Sequence, residues 1–420
     1  MNETDVIIIG AGACGLVAAT ELLSAGKTVR ILEANTRPGG RILTFENGME
    51  GGAEFVHGDL PVTKRLITES GLSLVPVEGE IFENKNGKWK PQENFIEDWD
   101  EVMKPLSELK HDLSLKDFLQ QYFSEEKYAE LRSSICRFAE GYDLVDINDA
   151  SMFALKEEWK EEADEQYRVK NGYGAIIQYM ERKIVEQKGI IEYGKPVIKI
   201  NRAQNEVTVI TENGETFHSK KIMVTVPQGV WHRGETAKGF IHFEPALPGY
   251  LKAMQHIGFG CIIKFVFDFS ECFWNEKIPG AGFIFSDEKI PTWWTYLPSN
   301  NNRLAGWFGG PSTLAYQNAD QETLFDLGTS TLSAIFNLPV SYIKQLITAH
   351  QIINWNEVNY TYGGYSYSTL ATSEARTFLK QPVEDCIFFS GEGLYEGPYA
   401  GMVEAALQNG IDVAQRMLSE

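Results

Sequence analysis

Four consecutive branched residues, Val6-Ile7-Ile8-Ile9, run directly into Gly10-Ala11-Gly12-Ala13-Cys14-Gly15. A short run apolar at every position predicts a strand buried on both faces. The glycines allow a tight turn, close approach of backbone to a pyrophosphate, and close packing of the following helix on the strand. Leu16, Val17, Ala19, Leu22 and Leu23 carry helical apolar spacing over residues 16–25, and Gly26 is a natural C-cap. Val29-Arg30-Ile31-Leu32 predicts a second strand ending at Glu33, whose carboxylate is placed to accept hydrogen bonds from an adenosine ribose, with Ala34 beside it. Strand, turn, helix, strand and terminal acid in this order predict an α/β, Rossmann-like dinucleotide site. Gly10, Gly12, Ala13, Gly15, Glu33 and Ala34 are its expected contacts.

The residues after Glu33 narrow the dinucleotide to FAD. Arg37-Pro38-Gly39-Gly40-Arg41 is succeeded by Gly51-Gly52-Ala53-Glu54-Phe55-Val56-His57-Gly58. A nicotinamide cofactor needs no second glycine-arginine loop, whereas the longer flavin must be held along pyrophosphate, ribityl and ring. Gly40, Ala53, Glu54 and Phe55 are expected at the cofactor, and Arg41 is expected to neutralise phosphate charge.

Near the other end, Ile387-Phe388-Phe389-Ser390 predicts a buried strand and Gly391-Glu392-Gly393 comes after it. A helix from Met402 onward carries Val403, Ala406, Leu407, Gly410, Ile411, Ala414, Met417 and Leu418 on one stripe. Its N-terminus, behind Gly401, would offer free N–H groups and a positive dipole end to the cofactor, through Gly391, Glu392, Met402 and Val403. With cofactor pieces at both ends, the FAD domain must be discontinuous: residues 1–75, 190–258 and 381–420. Residues 76–189 and 259–380 form an α+β substrate domain of mixed sheet and helices. Asn213-Gly214 between alternating apolar runs predicts a hairpin. The run Lys156 to Glu165 reads as a solvated acidic helix face.

Formal charge is −20 over 420 residues, which disfavours nucleic acid and anionic membranes and is compatible with attracting cationic amines. Cys14, Cys136, Cys261, Cys272 and Cys386 show no metal-ligand spacing and read as buried thiols of a reducing cytoplasm. The histidines show none either, so no metal is expected. Asn2-Glu3-Thr4-Asp5 is acidic where a secretion signal is basic, and no stretch approaches the ~20 apolar residues of a membrane span. No anchor segment is expected at the end of the chain, and a soluble, cytoplasmic protein is expected.

One lysine stands out. Lys264 sits in Cys261-Ile262-Ile263-Lys264-Phe265-Val266-Phe267, a predicted strand apolar on both faces. A buried ammonium must be paired, deprotonated or facing a cavity, and Asp268 is the nearest partner along the same face. Trp355, Tyr365, Tyr367, Tyr395 and Tyr399 are available to build an aromatic chamber.

These landmarks together resemble the flavin amine oxidases, a family that includes monoamine, polyamine and spermine oxidases and related histone demethylases. The resemblance spans nearly the whole chain: the Gly10–Gly15 turn, Glu33, Arg37–Arg41, Ala53–Gly58, Lys264 before Phe273-Trp274, Trp355 with Gly363-Gly364-Tyr365-Ser366, and Phe389-Ser390-Gly391-Glu392. Phe55-Val56-His57-Gly58 is most similar to the polyamine and spermine oxidase branch. The resemblance implies that the backbone at Val197 approaches the cofactor, that Lys264 holds a water at the flavin, and that His57 lies beside it. It further implies oxidation of a small amine by O2, giving imine and H2O2. Tyr365 stands where monoamine oxidases attach FAD through cysteine, which implies noncovalent FAD. Met402 replaces the second cage tyrosine, which argues for a polyamine-type tunnel, with Glu54 available to a distal substrate ammonium. An L-amino-acid oxidase is the rival, for which Arg132, Arg137 or Arg168 would bind the carboxylate. A flavoprotein acting mainly as a partner-binding module is the alternative of another class, weakened by the absence of long heptad runs.

Overall fold

In the computed structural model, which describes residues 4–92, 99–160, 165–203, 206–299 and 301–419, the opening strand is Thr4–Ile9. Its two faces feed two cores. Val6 and Ile8 pack with Leu16, Val17, Ala19 and Leu22 of the helix Ala13–Ser24. Ile7 and Ile9 pack on the opposite side with Val224, Trp231 and Phe389. A strand sandwiched in this way needs apolar residues at every position, which is why it shows no alternation.

Thr4–Ile9 pairs in parallel with Val29–Leu32 and Thr216–Val224, and the sheet extends in parallel through Ile190–Glu192 on one side and Ile387–Phe389 on the other. Strands from both ends of the chain thus share one sheet. Glu206–Thr211 and Thr216–Val224 form the expected hairpin, with Gly214 at φ +83° in its turn. Val197–Ala203 continues antiparallel beyond it.

A second, seven-stranded sheet runs in the order Ile347–Asn354, Ile262–Phe269, Arg303–Gly309, Thr292–Thr295, Ala281–Ser286, Glu80–Lys85, Lys88–Gln92. Its pairs are antiparallel except Ala281–Ser286 with Glu80–Lys85. Within Ile262–Phe269, Ile263, Phe265, Phe267 and Phe269 build the core beneath the sheet, so Lys264 belongs to the other face. The helices Trp99–Glu108, Leu115–Tyr122, Ala129–Gly141 and Met152–Lys160 gather around their own apolar cluster, which includes Val102, Phe118, Ile135 and Trp159.

Two segments pack away from the side expected of them. The helix Gly174–Glu186 lies on Ala13–Ser24 and gives Ile176, Ile177, Met180 and Ile184 to the nucleotide-fold core. The helix Thr372–Leu379 packs on Pro248–Gln255 and adds Ala375 and Leu379 to the second core of the first sheet. Helical periodicity tells that a face is buried, not against which sheet. All five cysteines are free, but Cys14 alone is buried, the other four being half-buried. Among the described residues no helix is long and apolar enough to cross a membrane, and no cluster of His, Cys, Asp and Glu is arranged to hold a metal.

Candidate active site

One cavity of about 1130 Å³ runs between the two sheets and under the helical layer. That volume exceeds the usual range for a single small ligand, roughly 300–1,000 Å³. Gly10, Gly12, Ala13, Glu33, Ala34, Gly40, Arg41, Ala53, Glu54, Phe55 and Val197 line it, as do Gly391, Glu392, Met402 and Val403. His57, Lys264, Trp355 and Tyr365 line it as well. Gly15 does not. A Cβ there would stand 2.1 Å from the Gly10 carbonyl oxygen, so this glycine serves the contact between helix and turn.

At the nucleotide end, Gly10 has φ +109°, and a Cβ at Gly12 would meet no atom within 4 Å, projecting into the cavity instead. The helix after Gly12 has no side-chain cap, so its first-turn N–H groups face the space that a pyrophosphate would fill. Glu33 accepts from Ala11 N at 2.6 Å and from Asn35 N at 2.8 Å, holding the turn as well as facing the cavity. Across the cavity, Gly401 (φ +72°) precedes the helix Val403–Ser419, whose first residues are on the wall. An uncapped helix start, an open glycine cradle and a ribose-height acid fit the adenine and pyrophosphate half of FAD.

Arg41 departs from its expected part. Its Nη1 donates to Glu392 Oε1 at 2.6 Å and to Gly364 O at 2.7 Å. Glu392 is buried and also accepts from Ser366 N at 3.1 Å and from the Ser366 hydroxyl. A buried carboxylate requires a cation, and this need takes the guanidinium charge that was expected to go to phosphate.

Lys264 is 1% exposed, and its partner is not Asp268, which pairs with Arg303. Lys264 Nζ donates to Glu54 Oε2 at 2.8 Å and to Gly52 O at 3.0 Å, with the Trp294 ring 5.4 Å away. Glu54 also accepts from Arg168 Nε at 2.8 Å, Trp294 Nε1 at 2.9 Å and Tyr296 OH at 3.2 Å. Burial raises the Glu54 pKa, but the Lys264 and Arg168 charges outweigh it and hold the carboxyl down at about 2. With four donors already on it, Glu54 is not available to a distal substrate ammonium. Arg168 is likewise committed, giving its other nitrogens to Thr295 O and Leu297 O.

His57 ends the short strand Phe55–His57 and is half-buried on the cavity wall. Burial pushes its imidazole down to about 4, so it is neutral at physiological pH. Trp355 donates from Nε1 to Gly51 O at 2.9 Å. The Tyr365 ring stacks on Trp307 at 6.4 Å, and its hydroxyl donates to Tyr142 O. Of the other aromatic candidates, Tyr399 reaches the wall, while Tyr367 and Tyr395 do not line it. Cys14 does, with its thiol against Ser390 Oγ at 3.0 Å and its pKa pushed up to about 12 by burial.

The helical layer supplies wall residues that no motif in the sequence marks: Phe138, Tyr142, Asp143, Glu158 and Trp159. The expected solvated face fails at its centre, because Trp159 is buried with Nε1 on Asp143 Oδ2 at 2.9 Å, and Glu158 looks into the cavity. Residues 161–164 of that acidic run lie outside the described residues. The available signal was the apolar pair Leu155 and Trp159 at i, i+4, the first just before the charged run and the second within it.

Comparison with known proteins agrees with this architecture. Polyamine oxidase 2 of Arabidopsis thaliana is 26% identical over 457 residues, covering 99% of this chain and 88% of that protein. Lysine-specific histone demethylase 1 homolog 3, also of Arabidopsis thaliana, is 24% identical over 502 residues, but the match, covering 100% of this chain, spans only 30% of that longer protein. The solved structure of wild-type putrescine oxidase bound to putrescine superposes with a TM-score of 0.80 at 20% identity, over 100% of this chain and 99% of that one. The family model of flavin-containing amine oxidoreductases matches residues 13–418, and the chain belongs to that family.

Proposed function

We propose that this protein is an FAD-dependent oxidase of primary or secondary amines, polyamine-like, that forms an imine hydrolysing to aldehyde and amine while O2 becomes H2O2. The observation that carries this reading is the single cavity joining the Gly10–Gly15 turn to Lys264 and the Tyr365, Trp307 and Trp355 aromatics. The flavin, when bound, supplies the two-electron acceptor for the carbon bearing nitrogen. The protein's task is to present that nitrogen uncharged, since a protonated amine has no lone pair to support the developing iminium. An aromatic wall with a neutral His57 favours the uncharged form by desolvation. Lys264, held by Glu54 and the Gly52 carbonyl, would position a water and so assist reoxidation or imine hydrolysis. The Gly-, Ala- and Val-lined half of the cavity would hold FAD through backbone contacts. Attachment is noncovalent in this proposal, because Tyr365 offers no thiol and Cys14, on the wall, is a high-pKa thiol among buried groups. In the same proposal the segments 1–75, 190–258 and 381–420, with the helices Gly174–Glu186 and Thr372–Leu379 packed on them, act as the cofactor domain and the remainder as the substrate domain. The five free thiols favour a cytoplasmic location.

The amino-acid oxidase reading keeps one foothold, Arg137, which lines the cavity but is paired with Asp287. Arg132 is turned to the Phe123 and Glu125 carbonyls. The test is anaerobic mixing of the yellow protein with spermine, spermidine, putrescine, phenylethylamine, leucine and phenylalanine, followed by peroxide-coupled turnover in air. Bleaching by polyamines ahead of amino acids is expected; the reverse order, or no bleaching by any amine, overturns the proposal. Lys264→Met should keep anaerobic bleaching and slow reoxidation, and acid precipitation should release all the yellow colour to the supernatant.

A further inference from the structure

Among the described residues, nine other than glycine hold a positive φ, and Leu144 alone of them is buried. It stands at φ +58° and is 1% exposed. A bulky side chain is an outlier in that region, and such strain persists only where the surroundings over-determine it. Here the surroundings are three glycines from three separate segments. A Cβ at Gly260 would stand 2.2 Å from the Leu144 Cβ, one at Gly309 2.4 Å from its Cδ2, and one at Gly364 2.6 Å from its Cδ1. Each glycine leaves the room that the leucine fills, so Leu144 is a peg in a glycine socket.

The peg grips the aromatic wall at both ends. It closes a turn that begins at Gly141, the last residue of the helix Ala129–Gly141. Gly141 O accepts from Trp307 Nε1 at 2.7 Å, and Tyr142 O accepts from the Tyr365 hydroxyl, so the turn moors the far ends of both side chains. Their roots are held by Leu144 itself, through Gly364 beside Tyr365 and through Gly309, two positions beyond Trp307 on the same face of its strand. The same apolar cluster takes in Ile262 and Trp355, and Trp307 lies directly across from Lys264 in the strand pairing. Gly364 O also accepts from Arg41, which ties this point to the cofactor half. Leu144 does not line the cavity, so it acts on what enters only through the rings.

We propose, resting on the amine oxidase reading above, that Leu144 is a positioning residue: wedged in its glycine socket, it fixes Trp307 and Tyr365 and so sets the breadth of amine that is oriented for oxidation. The strain has a use in this arrangement. Only the left-handed backbone at 144 lets one short turn aim two carbonyls at the rings and two δ-carbons at their roots; in a relaxed conformation the side chain would leave the socket. The two rings, stacked at 6.4 Å, then form a wall that does not yield. Oxidation at the carbon bearing nitrogen depends steeply on how that carbon is oriented. Shortening the leucine to alanine removes both δ-carbons and frees the ring roots. The wall then gives way to a wider amine and orients a slim one less well.

The experiment mixes the flavin-loaded protein anaerobically with n-hexylamine and with the wider cyclohexylmethylamine, and compares L144A, L144G and L144M with the parent. L144A should lower the limiting bleaching rate with n-hexylamine by about tenfold and leave its apparent Kd within about threefold, because misorientation costs rate before it costs affinity. The ratio of limiting rates for the slim and the wide amine should move towards one. L144M, close to leucine in volume and reach, should restore the rate to within about threefold of the parent. L144G removes the same δ-carbons but tolerates the left-handed backbone, so its unfolding midpoint should lie above that of L144A while its limiting rate matches. It carries the test if L144A does not fold. Rates that follow the unfolding midpoints, or a variant rate and amine ratio equal to the parent's, overturn the positioning role. In that case bleaching of the parent by either amine leaves the amine oxidase reading standing; a parent bleached by neither probe nor any other amine brings down both.

Discussion

Lys264 and Glu54 lie 210 positions apart and meet because the strand Ile262–Phe269 crosses beneath the loop after Arg41. Glu54 carries two cations, Lys264 and Arg168, and this asymmetry gives a prediction. Lys264→Met leaves Glu54 with Arg168 and should cost about 1–3 kcal/mol. Glu54→Gln strands two buried cations and should cost about 3–5 kcal/mol. Urea midpoints decide it: equal losses would mean that Arg168 does not share the carboxylate. His57 carries a second. Its imidazole is pushed from 6.5 down to about 4, so below pH 6.5 the unfolded chain takes a proton that the folded one refuses. Its contribution is therefore full above pH 6.5 and is lost as pH falls towards 4, by about 1–3 kcal/mol. Glu50, raised to about 7 by burial, acts oppositely in part of this window, so the readout is the difference between parent and His57→Gln. That difference should grow in favour of the variant from pH 6.5 to pH 4.5, and a flat difference would refute the neutral imidazole. Lys264 was legible as an anomaly because one cation interrupts an apolar strand. Its partner was not, since pairing depends on the approach of two distant segments, and Asp268 was only the nearest acid along the chain.

At the scale of elements, the most legible pieces were those whose cause is local. The turn after Thr4–Ile9 needs Gly10 for its positive φ and Gly15 for the helix contact, and the hairpin at Asn213-Gly214 needs only its own turn residues. The helix Val403–Ser419 was legible from its stripe, but one of its functions was hidden. Glu404, in its first turn and fully buried, accepts from Val62 N at 2.6 Å, Thr63 N at 2.8 Å and Thr63 Oγ at 2.7 Å. One carboxylate thus caps the helix Pro61–Ser70 while standing at the start of its own, so two positive dipole ends face one charge. Glu404→Gln replaces an acceptor with an amide that must turn its NH2 towards other donors, and should cost about 2–3 kcal/mol. Because Val403 is on the cavity wall, flavin affinity should fall in parallel with the unfolding midpoint; an unchanged midpoint would show that the cap is dispensable. The helix Met152–Lys160 departs from its charge pattern for a physical reason. Charge pattern reports which residues water could solvate, and a large cavity inside the protein satisfies that pattern at Glu158 as well as bulk solvent does.

Over the whole molecule, the cavity's outer end joins the helical layer to the second sheet through ion pairs. Lys85 pairs with Glu130 and Arg137 with Asp287, while Lys127 pairs with Glu125 at 3.3 Å inside the helical layer itself. Each cation at this end is matched by an acid, and Glu101 adds an exposed carboxylate, so the local charge does not oppose the −20 of the chain. Low-dielectric walls concentrate such a field at an opening, and steering of this kind changes association rates by roughly 10 to 10³. Screening reaches the same field, with a Debye length of about 10 Å at 0.1 M salt. The association rate of a dicationic amine, measured by stopped flow, should therefore fall by about tenfold between 10 mM and 500 mM NaCl, with a logarithmic slope near twice that of a monocation. The limiting rate of bleaching, which begins after the amine has entered, should not change. Equal slopes for the two amines would mean that the charge is spread over the surface without being directed at the cavity, and that amines are selected only after they arrive, by the wall of the cavity.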